Sequence, residues 1–408
     1  MKDIAIQAFH ASLSENEVAD LRNRLAQTRW PDWLPGSDWS YGVDGAYLKK
    51  LCDYWQHDFD FDGHVTRLNA WPQYVSEIEG ERLHFYHVPS RVPTARPLIL
   101  VHGWPGSVVE FLDLIGPLSD PEAHGGDPAD AFHVVVPSLP GYGFSGPTRN
   151  HGVNIAKAAS MMNAIMRALG YERYFAQGGD WGSLTTSRMA QDFPQNVAAL
   201  HINMAPGGNA NPMLPVEGLS IADQDELDQL RHHLMIDGAY AQIQTTRPQT
   251  LAVAMNDSPA GLAGWIIDKF WSWTDHGGNL EDAFDIDHLL DNLSVYWFTG
   301  TAGSSFRLYH ENNYRTQYTR SRVEIPTGVA RFAGEPFRWP RALVEWNYPN
   351  IHLWEDLPAG GHFAAFQRKE DFLRVVRAFF RNQSTRGART RLTEELPKPT
   401  RDRCGSIL

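Results

Sequence analysis

Four short apolar runs, Leu98–Val101, His133–Val136, Tyr174–Gln177 and Ala198–Ile202, constrain what this chain can fold into more than any other feature. Runs of four or five residues bounded by turn-forming residues suit strands buried on both faces and are too short for core helices. A helix is predicted from Ile155 to Leu169, with Asn154 as its N-cap, Gly170 as its stop and Ile155, Ala158, Met162, Ile165 and Leu169 at helical spacing. A second helix runs from the turn at 178–182 to Phe193. Strands alternating with amphipathic helices predict an α/β fold with a mostly parallel sheet covered on both faces. The alternation lapses between about 207 and 320, a largely helical stretch rich in Trp and Tyr. It returns with Val329–Phe332, Ile351–Leu353 and a helix from Lys369 to Phe380. An insertion late in a parallel sheet reads as a helical lid.

Nearer the N-terminus, Ser14-Glu15-Asn16-Glu17 is a capping box, with Val18, Leu21 and Leu25 following on one face and Pro31 expected to stop the helix. A second helix is expected from about Asp44, carrying Leu48, Leu51, Tyr54 and Trp55. Trp30, Trp33, Trp39, Trp55 and Trp71 crowd this region, which predicts a segment packed against something larger. Apart from a strand at Leu83–Val88, the first 90 residues read mainly as helices and loops.

The formal net charge of −12 has the wrong sign for gripping a phosphate backbone or an anionic membrane, so nucleic acid is not expected as a partner. Cys52 and Cys404 are too few for a disulfide framework or a cysteine zinc site. No apolar run approaches the ~20 residues of a membrane span, and MKDIAIQAFH lacks a signal pattern. A cytoplasmic protein without a membrane anchor is expected. Gly141-Tyr142-Gly143-Phe144-Ser145-Gly146 spells GxGxxG but lacks the acidic residue a dinucleotide site needs, so it reads as a glycine-rich turn. The adjacent His232 and His233 cannot face one metal from a helix and are expected to be solvated.

Gly178-Gly179-Asp180-Trp181-Gly182 has the spacing of a nucleophile elbow between a strand and a helix, with aspartate where esterases place serine. The bland reading is an Asp capping the next helix. Two further features weigh against it. His102-Gly103-Trp104-Pro105-Gly106 follows a strand where hydrolases of this type place an oxyanion-hole N–H, and Gly360-Gly361-His362-Phe363 follows a late strand. Glu335 falls between them, giving nucleophile, acid and base in that order.

With these motifs the chain resembles the α/β-hydrolase family, and specifically epoxide hydrolases of the microsomal type, from about residue 9 to 380. Arg29-Trp30-Pro31, Tyr41-Gly42-Val43 and Arg67-Leu68-Asn69 resemble that family's N-terminal domain. His102–Gly106, Gly178–Ser183, Asn256-Asp257-Ser258-Pro259 and Gly360–Phe366 resemble its core and lid signatures. The resemblance implies an N-terminal domain at 1–92, hydrolase core at 93–206 and 321–382, a lid at 207–320 and a polar tail at 383–408. It lacks the membrane-anchoring helix of vertebrate members and so resembles soluble bacterial and fungal relatives.

The implied activity is conversion of an epoxide and water to a vicinal diol through an ester on Asp180. A carboxylate is ionised at neutral pH and can attack a strained ring directly. His362 would activate the hydrolytic water, Glu335 would orient the imidazole, and the N–H groups of Trp104 and Trp181 would hold the oxyanion. The resemblance places two proton-donating tyrosines at Tyr240 and Tyr309, with Tyr142, Tyr296 and Tyr314 as packing alternatives. The family's relay acid usually follows Phe-Pro, whereas this chain reads Phe332-Ala333-Gly334-Glu335, so Glu355 and Asp356 are substitutes. No cofactor and no metal are implied. The partner is a small-molecule epoxide. Trp265, Phe270, Trp271, Trp273, Trp297 and Phe298 suggest an apolar or aromatic pocket, or else lid core. A homodimer is allowed and not required.

Two competing functions use the same scaffold. A haloalkane dehalogenase would share the Asp nucleophile and His base but needs ring N–H donors rather than paired phenols. A catalytically silent binding protein would have no use for Asp180, His362 and both tyrosines, all of which are present.

Overall fold

In the computed structural model, residues 4–208, 211–312 and 322–383 are described. The strands are β1 (Ile6–Phe9), β2 (Gln73–Ile78), β3 (Glu81–Val88), β4 (Arg96–Val101), β5 (Phe132–Pro137), β6 (Tyr174–Gly178), β7 (Val197–Ile202), β8 (Thr327–Gly334) and β9 (Ile351–Gly361). They form one sheet in the order β1-β2-β3-β5-β4-β6-β7-β8-β9. From β5 through β4 to β9 every pairing is parallel, while β1, β2 and β3 extend the β5 edge antiparallel. Leu98–Val101, Phe175, Ala176, Leu200 and Ile202 have no accessible surface, as expected for central strands covered on both faces. This is the α/β-hydrolase fold that the sequence predicts.

The first segment departs from expectation. β1 and β2 join the sheet, although the sequence there reads as helix and loop. β1 is four residues long, and β2 (QYVSEI) carries polar residues whose burial only the tertiary structure explains. Gln73 is buried because its amide donates to the Leu68 carbonyl and to Asn69, and its oxygen meets His84.

The helices of this segment are α1 (Glu15–Ala26), α2 (Gly45–His57) and α3 (Phe61–Leu68). Ser14 and Glu17 close the capping box on α1, and Asp44 caps α2. α1 ends at Ala26 rather than running to Pro31. Its buried face stops at Leu25, and its last turn tightens, the Gln27 N–H shared between the Asn23 and Arg24 carbonyls and the Thr28 N–H on the Leu25 carbonyl. Next in sequence come α4 (Leu112–Ser119), α5 (Ile155–Ala168, capped by Asn154) and α6 (Trp181–Asp192).

Among the described residues, six α-helices lie between β7 and β8: α7 (Ile221–Asp237), α8 (Ala239–Thr246), α9 (Pro248–Asp257), α10 (Pro259–Ser272), α11 (Ile286–Phe298) and α12 (Ala302–Glu311). The tryptophan-rich segment packs against them. Trp39 stacks on Trp271 at 4.2 Å, and the Trp55 indole donates to Ser294. Arg67 grips Asp291 of α11 with two hydrogen bonds of 2.7 and 2.8 Å, and His64 Nδ1 lies 2.7 Å from the same carboxylate. Burial opposes ionisation of Asp291, but the hydrogen bonds from His64 and Arg67 hold its carboxyl below the ordinary range.

Among the described residues no helix is long and apolar enough to cross a membrane. The GxGxxG stretch forms a turn after β5. His233 is not solvated as expected. Its ring packs against Phe337, and burial lowers its pKa. Residues 384–408, and Tyr314, lie outside the described residues.

Candidate active site

The motif residues stand just past the carboxyl ends of four parallel strands, where ligands bind in open α/β sheets. Trp104 follows β4, Asp180 follows β6, Glu335 follows β8 and His362 follows β9.

Asp180 has φ +50° and ψ −126°, a conformation that non-glycine residues rarely adopt. The turn that imposes it leaves no room for side chains beside it. A Cβ on Gly182 would lie 1.9 Å from the Val101 carbonyl oxygen, and one on Gly178 would lie 2.3 Å from the Gly182 backbone. Asp180 heads α6 yet makes no capping hydrogen bond. Its Oδ1 instead accepts the Trp104 N–H at 2.8 Å, and Oδ2 stands 3.6 Å from His362 Nε2. The helix-capping reading is therefore set aside. Trp181 opens α6, where first-turn N–H groups have no intrahelical acceptor.

His362 Nδ1 lies 3.0 and 3.1 Å from the two Glu335 oxygens, and Glu335 also accepts the Phe337 N–H at 3.0 Å. Both side chains are buried. Burial alone would depress the imidazole pKa. The Glu335 charge and the hydrogen bonds to Asp180 and Glu335 overcome it and raise the value to about 10. The resting imidazole is thus cationic at neutral pH, held between two carboxylates. Glu335 occupies the expected place without the Phe-Pro pair. The substitutes are committed elsewhere, Glu355 to Arg374 and Asp356 to Arg331 and Arg338.

Two aromatic walls face this trio. Tyr240 of α8 stacks on the Trp104 indole at 5.1 Å, Tyr309 of α12 meets Trp181 edge-on at 4.8 Å, and the two tyrosine rings are 6.1 Å apart. Both tyrosines are buried. Tyr296, a packing alternative, donates to the Gly106 carbonyl at 2.7 Å, and Tyr142 packs against His102. Of the six lid aromatics named from sequence, Trp273 reaches the site, lying 4.9 Å from the His362 ring and 5.1 Å from Tyr240. Phe270 stacks on Phe363, Trp271 on Trp39, and Phe298 meets Phe61, so these three belong to packing.

A small cavity of about 20 Å³ lies among Trp104, Glu110, Asp180, Asn203, His362 and Phe363. Sequence reading did not single out Glu110 or Asn203. Glu110 is close to the HGWPG motif, but a lone Glu in a helical stretch reads as a solvated side chain. Among the described residues no group of three or more His, Cys, Asp or Glu is arranged to hold a metal ion.

A backbone N–H on the Asp180 carboxylate, a strained elbow, a buried His–Glu pair and two phenols thus meet at one end of the sheet. Comparison with known proteins shows the family. Residues 6–111 match the family described as epoxide hydrolase N terminus, and residues 96–231 match the α/β-hydrolase fold. A Stigmatella aurantiaca protein named as a candidate epoxide hydrolase is 41% identical over 92% of this chain and 85% of its own. Epoxide hydrolase 1 of Oryctolagus cuniculus is 37% identical over 93% of this chain and 89% of its own. The crystal structure of juvenile hormone epoxide hydrolase from Bombyx mori superposes with a TM-score of 0.83 at 32% identity, covering 92% of this chain and 93% of that one. With nearly its whole length shared with such proteins, the chain belongs to the epoxide hydrolase family.

Proposed function

We propose that the enzyme opens an apolar or aromatic epoxide by attack of Asp180 on a ring carbon, and then hydrolyses the resulting ester to a vicinal diol. The observation that carries this reading is the Asp180 carboxylate itself, freed from helix capping and set between the Trp104 N–H and His362. Tyr240 and Tyr309 supply the proton that the ring oxygen takes as it opens. The aromatic surfaces of Trp104, Trp181 and Trp273 favour an apolar substituent on the epoxide.

The protons balance around the cycle. Esterification removes the Asp180 charge, and with it part of what holds the proton on His362. The phenol that protonated the ring oxygen regains its proton at the expense of the imidazolium, and the neutral imidazole becomes a base. Neutral His362 takes a proton from water, whose oxygen attacks the ester carbonyl carbon. The oxyanion rests on the Trp104 and Trp181 N–H groups, each such donor contributing about 3–4 kcal/mol. Collapse breaks the acyl C–O bond, releases the diol and restores the Asp180–imidazolium pair.

A single turnover with enzyme in excess in heavy-oxygen water tests this path. The diol should leave without label, and the peptide bearing Asp180 should carry it. Label in the diol instead would mean that water attacks the epoxide directly. Glu335→Gln should slow ester hydrolysis by about 100-fold or more while changing alkylation much less, because Glu335 stabilises the imidazolium that forms in the second step. An unaltered hydrolysis rate in single-turnover kinetics would remove Glu335 from that role.

One observation favours a second reading, dehalogenation. The buried indole N–H groups of Trp104 and Trp181 have no acceptor among the described residues, and ring N–H donors suit a departing halide. The paired phenols and the family favour the epoxide. Chloride or bromide released from haloalkanes would carry the second reading. A cytoplasmic setting fits a chain with two cysteines, in which burial pushes the Cys52 thiol up to about 12.

A further inference from the structure

Glu110 is a carboxyl group in the site that the steps above do not use. It lines the same small cavity as Asp180, Asn203 and His362 and is half-buried. A Cβ on Gly106 would fall 1.6 Å from Glu110 Oε1, so the carboxyl occupies the space that any side chain at 106 would take. The Gly106 carbonyl is in turn pinned by the Tyr296 hydroxyl, and the Pro105 carbonyl by the Asn292 amide, both from α11. The group thus lies against the turn that presents the Trp104 N–H.

The cavity has the volume of about one water molecule, and a buried water needs two to four polar partners. Polar side chains on its walls include Asp180, His362, Asn203, His102 and Glu110; the His102 ring is already engaged by the Gly103 carbonyl and the Leu139 N–H. His362 can take only one of the water's two protons, so the other needs an acceptor.

We infer that Glu110 is the second binding group for the hydrolytic water, its carboxyl oxygen accepting a hydrogen bond from the O–H that His362 does not deprotonate and aiming the water oxygen at the Asp180 ester carbon. This inference rests on the ester reading. Its protonation fits the task. Burial first, and the Asp180 charge as well, raise the carboxyl to about 8 although His362 opposes this, so at neutral pH it is largely the neutral acid. A neutral acid offers a carbonyl acceptor without adding a third negative charge beside Asp180 and Glu335. An amide offers the same acceptor in nearly the same shape.

The expected results follow from that equivalence. At neutral pH Glu110→Gln should hydrolyse the ester within about fivefold of the parent rate, whereas Glu110→Leu should lose about 50-fold or more in that step. Both should form the ester within about threefold of the parent rate, so the ester accumulates in Glu110→Leu during turnover and is visible by intact mass. Ester formation near the parent rate in each variant would show that its site still folds. Hydrolysis unchanged in Glu110→Leu, or both steps slowed alike, would overturn the assignment to water. His362→Gln run in parallel separates the two readings. Ester trapped there with no defect in Glu110→Leu sinks only the water role, and no ester in either variant sinks the mechanism beneath it.

Discussion

Exposed to a small aromatic epoxide such as styrene oxide, the His362→Gln variant should gain the mass of one epoxide and keep it. Attack needs only Asp180 and the proton donors, whereas release needs a base beside the ester. In the resting site the imidazole is clamped between Asp180 and Glu335 and carries a proton, so it cannot be the base until the ester forms. Removing it should slow release by about 10³-fold and leave a stoichiometric adduct. The adduct should vanish in the Asp180→Asn, His362→Gln double variant, because an amide is a poor nucleophile. An adduct that survives the second substitution would place the nucleophile elsewhere. Absence of both adduct and diol across a panel of epoxides would send the search to haloalkanes.

The second large effect concerns Tyr240 and Tyr309. An alkoxide leaving a ring carbon without a proton is a poor leaving group, and general acids typically contribute about 10²–10⁴-fold. Either single Tyr→Phe change should slow alkylation by about 10- to 100-fold, because the remaining phenol still donates. The double change should slow it by about 10³-fold or more, while hydrolysis of preformed ester stays near the parent rate. Both rings pack on tryptophans, and Phe keeps that packing, so each hydroxyl removed should cost about 1 kcal/mol of stability. Stopped-flow measurement of the tryptophan signal of Trp104 and Trp181 would follow the alkylation step. Wild-type alkylation in the double variant would sink the proton-donor assignment.

Much of this site is legible without coordinates because its parts are turns with strict geometric demands. An elbow that forces φ +50° on Asp180 needs small residues on either side, so it leaves a spacing in the sequence. His362 and Glu335 sit one residue beyond apolar strands, and caps such as Ser14, Asp44 and Asn154 mark where helices begin. What sequence misses is what burial decides at a distance. β2 looks polar because its Gln73 is satisfied by His84 on the neighbouring strand. β9 runs eleven residues through Pro358, which its place at the sheet edge allows. His233 looks solvated until Phe337 comes to lie against it from another part of the chain. Glu110 neighbours Gly106 in sequence but carries no spacing signal of its own, since only the fold brings it to Asp180 and His362.

The helices between β7 and β8 carry both phenols, whereas Asp180, His362 and Glu335, the proposed nucleophile, base and relay acid, all stand just past strand ends. Swapping this insertion among relatives to change substrate range would therefore also exchange the acid half of the catalyst. A graft that shapes a new pocket but displaces either ring would leave an enzyme that binds its epoxide and cannot open it. Redesign of substrate range in this scaffold is bounded by two fixed points, Tyr240 and Tyr309, around which the rest of the insertion is free to vary.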